Sequence, residues 1–226
     1  MSFGKSDQAR KAILSRIRRA QGHGGRGPTD AERADVETYL RAHPRGPIPR
    51  VDDDVVRRFR ARAESMQTTT DLVESMIEAP AAAERYLRAS DLPLTGCVWP
   101  ALADLDWRGA GLDLAARAAK GEDLVGVTGA FAGIAETGTL MVVSSPDTPA
   151  GTSLLPETHI AIVPVERIVK HMEDAWDLAR AEFGQLPRAV NFISGPSRTG
   201  DIEQVIILGA HGPYRVHLIL VSGRSA

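Results

Sequence analysis

The chain has 226 residues, of which 43% are hydrophobic and 25% charged, values typical of a globular protein with a sizeable core. Its net charge of −2 argues against a general affinity for nucleic acid or other polyanions. Its single cysteine, Cys97, excludes an intrachain disulfide and a cysteine-only zinc or iron–sulfur site, and its apolar neighbours indicate a buried thiol. No apolar run resembles a signal peptide or a membrane span, so we expect a cytoplasmic protein.

Positive charge is concentrated in the first part of the chain. Residues 1–60 contain 14 Lys and Arg against 8 Asp and Glu, whereas residues 61–226 contain 13 against 21. The apolar spacing predicts a helix over residues 6–20 and a second one that begins at Thr29 or Asp30 and ends near Arg41. Three prolines within residues 43–49 predict a stiff linker. We therefore divide the chain into a basic helical arm, 1–50, and a globular domain, 51–226.

Three roles are open for the arm: folding onto its own domain, docking on a partner, or binding nucleic acid. The last is disfavoured, because residues 1–60 offer only Phe3, Tyr39 and Phe59 for base stacking. The sequence does not decide between the first two.

The globular domain begins with helical patterns and continues with strand patterns. Helices are predicted at residues 52–63 and 71–89, with a short strand at 68–70 between them. Seven short apolar runs then predict strands, and a strong helix at 165–183 lies between the fourth and fifth of them; the runs are 94–99, 124–128, 139–144, 159–163, 189–194, 204–209 and 216–221. Nearly continuous apolar runs are typical of strands covered on both faces. The sequence therefore predicts an α/β fold whose mixed sheet has a parallel core and antiparallel hairpins near the C-terminus.

The first candidate functional loop is residues 133–139, GIAETGT, between two predicted strands. Its glycines allow close backbone approach to a ligand, and its hydroxyls and N–H groups can hold an anion, with Gly138 and Thr139 as binding residues. Glu136 is a candidate general base or nucleophile, assisted by Thr137. An ordinary polar turn remains the alternative.

The second candidate loop is residues 194–203, SGPSRTGDIE, directly after a predicted strand. Ser197 or Thr199 is expected to cap a helical turn whose free N–H groups, beside Arg198, would bind a carboxylate or phosphate. The remaining binding candidates in this loop supply a turn, a hydroxyl or carboxylates; they are Ser194, Gly195, Asp201 and Glu203.

The remaining candidates are weaker. His211 and Gly212 join the last two predicted strands, where a histidine can exchange a proton or simply be structural. His159 and His217 have no companion ligands at a metal-binding spacing, so no metal site is predicted. Residues 147–153 have the composition of a mobile lid.

Three segments taken in order, GIAETGTLMVVSS, THIAIVPVERIVKHMEDA and FISGPSRTGDIEQVIILGAHGPYRVHLIL, resemble the lactate-utilisation (LUD) domain family. The resemblance covers residues 120–226 closely and 50–120 in pattern only, and the arm resembles the family's leading helix. It implies a fold like that of the NagB/RpiA/CoA-transferase superfamily, with a Rossmann-like sheet.

The resemblance also implies a role in oxidising L-lactate to pyruvate beside two iron–sulfur partner proteins, one cysteine-rich and one with a ferredoxin motif. With one cysteine, this chain is expected to hold no iron–sulfur cluster itself. Its two loops are expected to bind a small anion that the sequence does not identify. Family members usually carry an Ala-Asp pair before the first motif, whereas this chain has no carboxylate at residues 130–133, so chemistry there would rest on Glu136 and Thr137.

Two other functions stay open. One is an autonomous enzyme of the CoA-transferase or sugar-phosphate-isomerase type that uses Glu136. The other is an interaction module in which both loops are only structural.

Overall fold

The computed structural model describes residues 3–22, 26–51, 54–200 and 207–223, which divide into two compact units, Met1–Pro47 and Ile48–Ala226. The first unit contains helices α1 (Phe3–Ala20) and α2 (Asp30–Ala42). Thr29 caps α2 as predicted, because its hydroxyl accepts from Glu32 N while Glu32 Oε2 accepts from Thr29 N at 2.7 Å. The structure describes every side chain of α2, and none of them is buried.

The second unit holds the remaining helices and all the strands found in the described residues. The helices are α3 (Val55–Ser65), α4 (Ala79–Ala89) and α5 (Met172–Phe183). The strands are β1 (Thr69–Val73), β2 (Thr95–Val98), β3 (Asp113–Ala116), β4 (Val125–Gly129), β5 (Ala132–Ile134), β6 (Thr139–Val143), β7 (Thr158–Pro164), β8 (Ile168–Val169), β9 (Val190–Ile193), β10 (Arg198–Thr199), β11 (Ile207–Leu208) and β12 (Arg215–Val221).

Six parallel strands form the central sheet in the order β1-β12-β7-β4-β2-β3. A second sheet, in the order β8-β5-β6-β9, joins β5 to β6 and β6 to β9 in antiparallel pairs and β5 to β8 in a parallel pair. β10 and β11 form a separate antiparallel pair. The predicted α/β class, with a mostly parallel central sheet flanked by helices, is confirmed.

Both faces of the central sheet are buried, which explains the continuous apolar runs. Ile160 and Ile219 belong to a core cluster with Leu87 of α4, whereas Ala161 and Leu218, next along the same strands, pack with Phe59 of α3. A third cluster joins α5 to the second sheet and includes Phe131, Met141 and Ala175. No helix among the described residues is long and apolar enough to cross a bilayer.

Two predicted helices begin later than the sequence indicated. The one predicted over 71–89 is wrong in its first part, because β1 continues to Val73 and pairs with β12, and α4 begins at Ala79. The one predicted over 165–183 begins at Met172, because the β-branched pair Ile168–Val169 instead forms β8 beside β5.

The C-terminal strands also differ from the prediction. β12 enters the central sheet between β1 and β7 rather than forming a hairpin with the preceding strand. Of the strand predicted at 204–209, residues 204–206 lie outside the described residues, and Ile207–Leu208 pairs with β10. β3 and β5 were not predicted.

Candidate functional site

The first loop is a tight turn between β5 and β6. Gly138 N donates to Ile134 O at 2.9 Å, and Gly138 has a φ of +70°, a conformation that favours glycine. The turn lies against the last turn of α3: a Cβ on Gly138 would stand 2.3 Å from Ala63 N. Thr137 is exposed, whereas Glu136 is half-buried.

A chain of three hydroxyl groups connects the first loop to the second. Thr139 Oγ1 lies 2.6 Å from Thr137 Oγ1 and 2.5 Å from Ser194 Oγ. The antiparallel pairing of β6 with β9 sets this contact, because Leu140 stands opposite Ile193 and so brings Thr139 beside Ser194. The two loops identified from the sequence therefore meet in the folded protein.

Glu136 has a partner that the sequence did not identify, His171. The distance from His171 Nδ1 to Glu136 Oε2 is 3.2 Å, and the two side chains are 12% and 25% exposed. Parallel pairing of β5 with β8 brings the two segments together, and Glu136 N donates to Lys170 O at 3.0 Å. The signal available in the sequence was the acidic stretch after His171, which is typical of a helix start, but the residue fell inside a longer predicted helix.

The second loop also contacts α3. Gly195 has a φ of +70°, and a Cβ there would stand 2.3 Å from Met66 O, just after α3 ends. Ser197 N donates to Pro213 O at 2.9 Å, and His211 N donates to Ser197 Oγ at 3.4 Å. The structure thus brings the predicted residues Ser197, His211 and Gly212 together, since a Cβ on Gly212 would lie 3.3 Å from Ser197 Cβ.

The helical turn predicted at Ser197 or Thr199 is wrong. Arg198 and Thr199 form β10, and the guanidinium of Arg198 donates to Met66 O at 3.1 Å and to Gln67 Oε1 at 2.7 Å. Carbonyl oxygens at the C-terminal end of a helix carry partial negative charge, which explains why the cation lies there. Arg198 remains exposed, while Asp201 and Glu203 lie outside the described residues.

The segment before the first motif, residues 130–133, contains no carboxylate, and its one aromatic residue is Phe131. Phe131 is buried in the third core cluster, and the guanidinium of Arg167 lies 4.5 Å from its ring centroid. The guanidinium also binds Phe131 O at 2.8 Å and Glu182 at 2.6 Å, and this contact lowers the pKa of the Glu182 carboxyl. This position therefore packs the second sheet against α5.

Two other histidines are buried inside the central sheet. His159 Nε2 lies 2.7 Å from Thr128 Oγ1, and His217 Nδ1 lies 2.8 Å from Thr69 Oγ1. Burial lowers the pKa of each imidazole to about 4, and at His217 Asp71 partly opposes this effect. His217 also stacks on Tyr86 with 3.9 Å between ring centroids. These contacts assign both histidines to packing within the sheet.

Cys97 is buried as predicted, and burial raises the pKa of its thiol to about 12, which disfavours the reactive thiolate. Loop 147–153 is attached to the end of β2, because Pro149 O accepts from Trp99 Nε1 at 3.0 Å and Asp147 O from Ala101 N at 3.1 Å. Within the described ranges, no group of three His, Cys, Asp or Glu side chains could hold a metal ion.

The family model described as LUD domain matches residues 2–221. This chain belongs to the LUD domain family. The LUD-domain protein is similar to lactate utilization protein C of Bacillus subtilis strain 168, with 43% identity over 103 residues, 44% of this chain and 43% of that protein. The protein of the same name from Exiguobacterium sp. is 44% identical over 100 residues, which make up 43% of this chain and 44% of that protein. The chain thus matches less than half the length of these curated relatives.

The fold also matches a solved crystal structure, that of a DUF162 family protein from Deinococcus radiodurans. The TM-score is 0.58 at 21% identity, and the match covers 77% of this LUD-domain chain and 100% of the other. At this identity, the likeness shows the fold alone.

Proposed function

We propose that this LUD-domain protein is a component of an L-lactate utilisation system that oxidises L-lactate to pyruvate, and that it binds a small anionic ligand through its two loops. The support is its membership of the family together with relatives named lactate utilization protein C. The cytoplasm remains the expected location.

One observation carries the binding part of the proposal: the hydroxyl chain from Thr137 through Thr139 to Ser194. Hydroxyl groups can rotate their O–H bonds toward a carboxylate, so the two loops together can form one anion-binding surface. The second loop adds the exposed cation Arg198, whose contacts with Met66 O and Gln67 Oε1 hold it at a fixed place.

Electron transfer is assigned to partner proteins in this proposal. The single cysteine cannot ligate an iron–sulfur cluster within the chain, so two iron–sulfur proteins, one cysteine-rich and one with a ferredoxin motif, would take the electrons. The chain itself would hold and orient the ligand.

The binding part is tested by calorimetric titration with L-lactate and with pyruvate. Arg198→Ala should weaken binding at least about 10-fold, because a charge-assisted hydrogen bond is lost. Arg57→Ala, which removes an exposed arginine from the first turn of α3, is the matched control and should bind like the wild type. Equal affinities in all three proteins would exclude Arg198 from the site.

A second candidate function is an autonomous CoA-transferase or isomerase-like enzyme. The half-buried carboxylate of Glu136 favours it, since such an enzyme needs a carboxylate nucleophile or base. Mass spectrometry after incubation with acetyl-CoA would show a covalent CoA adduct at Glu136 in the wild type and none in Glu136→Gln. No adduct in either protein would exclude the transferase route.

A further inference from the structure

The contact between Glu136 and His171 has the form of an acid–base pair. A carboxylate acceptor 3.2 Å from Nδ1 favours the imidazole tautomer that carries its proton on that nitrogen. In that tautomer of the neutral ring, the lone pair is on Nε2, the nitrogen that can accept a proton from a ligand.

Both residues are held by backbone contacts rather than by their own contact alone. Ala135 N donates to Val169 O at 2.9 Å and Glu136 N to Lys170 O at 3.0 Å, which fixes the turn against β8. On the other side, His171 N donates to Asp174 Oδ2 at 3.0 Å at the start of α5. A preorganised pair of this kind loses little free energy to reorganisation when the reaction occurs.

The pair lies next to the hydroxyl chain along the sequence and is partly exposed. Glu136 immediately precedes Thr137, the outer hydroxyl of the chain, and both pair members keep part of their surface exposed.

We infer that His171 Nε2 exchanges a proton with the hydroxyl or carbonyl oxygen of a bound 2-hydroxy or 2-oxo acid, and that Glu136 orients the imidazole through Nδ1. The inference rests on the proposed function for its ligand class. Glu136 is thereby a positioning residue rather than a nucleophile.

The step is balanced as follows. Oxidation of a 2-hydroxy acid to a 2-oxo acid removes two protons and two electrons. The hydroxyl proton passes to His171 Nε2, and the resulting imidazolium is stabilised by the Glu136 carboxylate. The C2–H bond would break as the carbonyl π bond forms, its proton would go to water, and the iron–sulfur proteins proposed as partners would supply the acceptors for the two electrons.

The first test reads the tautomer of His171 by ¹⁵N NMR of the full chain. The wild type should show the Nδ1–H form, whereas Glu136→Leu, which removes the acceptor, should shift the ring toward Nε2–H. A wild-type ring already in the Nε2–H form would overturn the inference, whatever the ligand is.

The second test measures L-lactate turnover in extracts of strains that carry each variant in the complete system. His171→Asn keeps a good helix-capping residue and should lower kcat by about 10²- to 10⁴-fold with little change in KM. Glu136→Gln should lower kcat at least about 10-fold. His43→Asn, a change at an exposed left-handed residue of the first unit that asparagine tolerates, is the control.

The outcomes separate the two proposals. Normal turnover by His171→Asn, with lactate binding intact, would reject the proton-transfer role and leave the proposed function standing. Failure of the wild type to bind either L-lactate or pyruvate would reject the proposed function and, with it, the ligand class of this inference.

Discussion

Ala63 of α3 stands so close to Gly138 that a Cβ on the glycine would lie 2.3 Å from the Ala63 nitrogen. The first loop therefore reaches its place only because residue 138 has no side chain. A Cβ on Gly195 would likewise lie too close to Met66 O. Each loop therefore needs a glycine where it packs against the C-terminal end of α3.

Gly138→Ala should lower the free energy of unfolding by at least about 2 kcal/mol, since it adds a clash to an unfavourable φ. Gly184→Ala is the matched control, because Gly184 has a similar φ of +66° with no atom within 4 Å of its Cβ position. Chemical denaturation of both variants separates the free-energy cost of the steric clash from the cost of the unfavourable φ. Equal losses would mean that the helix and the loop move apart at little cost.

Thr139→Val should cost about 1 to 2 kcal/mol of stability, because it removes the buried middle hydroxyl of the chain and with it both hydrogen bonds. It should also weaken anion binding. Thr137→Val, at the exposed end of the chain, should have a smaller effect on stability. Urea unfolding of the two variants decides the order, and a greater loss at residue 137 would contradict the buried linkage.

The protein should lose stability as the pH falls from about 6.5 to 4. The unfolded chain binds protons at its histidines below about pH 6.5, whereas folding holds the pKa of His159 and His217 at about 4. Stability is therefore fully present above pH 6.5 and decreases by an order of 3 kcal/mol per histidine toward pH 4. Thermal unfolding of the wild type and of His159→Gln across this range measures it, and the variant should show the smaller slope.

Arg117→Met should destabilise the protein by about 2 kcal/mol at neutral pH. Arg117 contacts Asp123 at 2.6 Å and 2.9 Å and lowers the pKa of that carboxyl, which is only 6% exposed. Asp123→Asn in the Arg117→Met background should recover part of the loss, because the buried charge is removed. No recovery would show that the loss comes from packing of the arginine stem instead.

Amide hydrogens of α2 should exchange with solvent much faster than those of α3. Isolated short helices are marginal in water, and α2 has no buried side chain, whereas α3 buries Phe59 and Ala63. Hydrogen exchange followed by mass spectrometry compares the two directly. Strong protection of α2 would indicate that another surface covers Val36, Tyr39 and Leu40 in solution.

Elements with a strong local pattern were predictable from the sequence. The parallel strands read as apolar runs because both of their faces are buried, and the start of α2 was placed at Thr29 or Asp30. β3 was missed because DLAA is a short, exposed edge strand, and β5 because Ala-Gly-Ile falls inside a glycine-marked loop.

The candidate site was predictable only in part, because its contacts are not local. Both loops were located from their residue types, but the partner of Glu136 lies 35 residues away and that of Arg198 more than 130 residues away. Such contacts follow from strand pairing and from the position of α3, which the sequence pattern did not specify.

The place of β12 in the sheet has a consequence for biosynthesis. Its pairing with β1 spans 148 residues, as the contact between Thr69 and His217 shows. On a ribosome that adds about 5 to 20 residues per second, β1 waits roughly 7 to 30 s before its neighbour is made. β1 throughout that time, and β7 once it has been made, present an edge that β12 will later cover, so the nascent chain is exposed to wrong pairing until β12 has emerged.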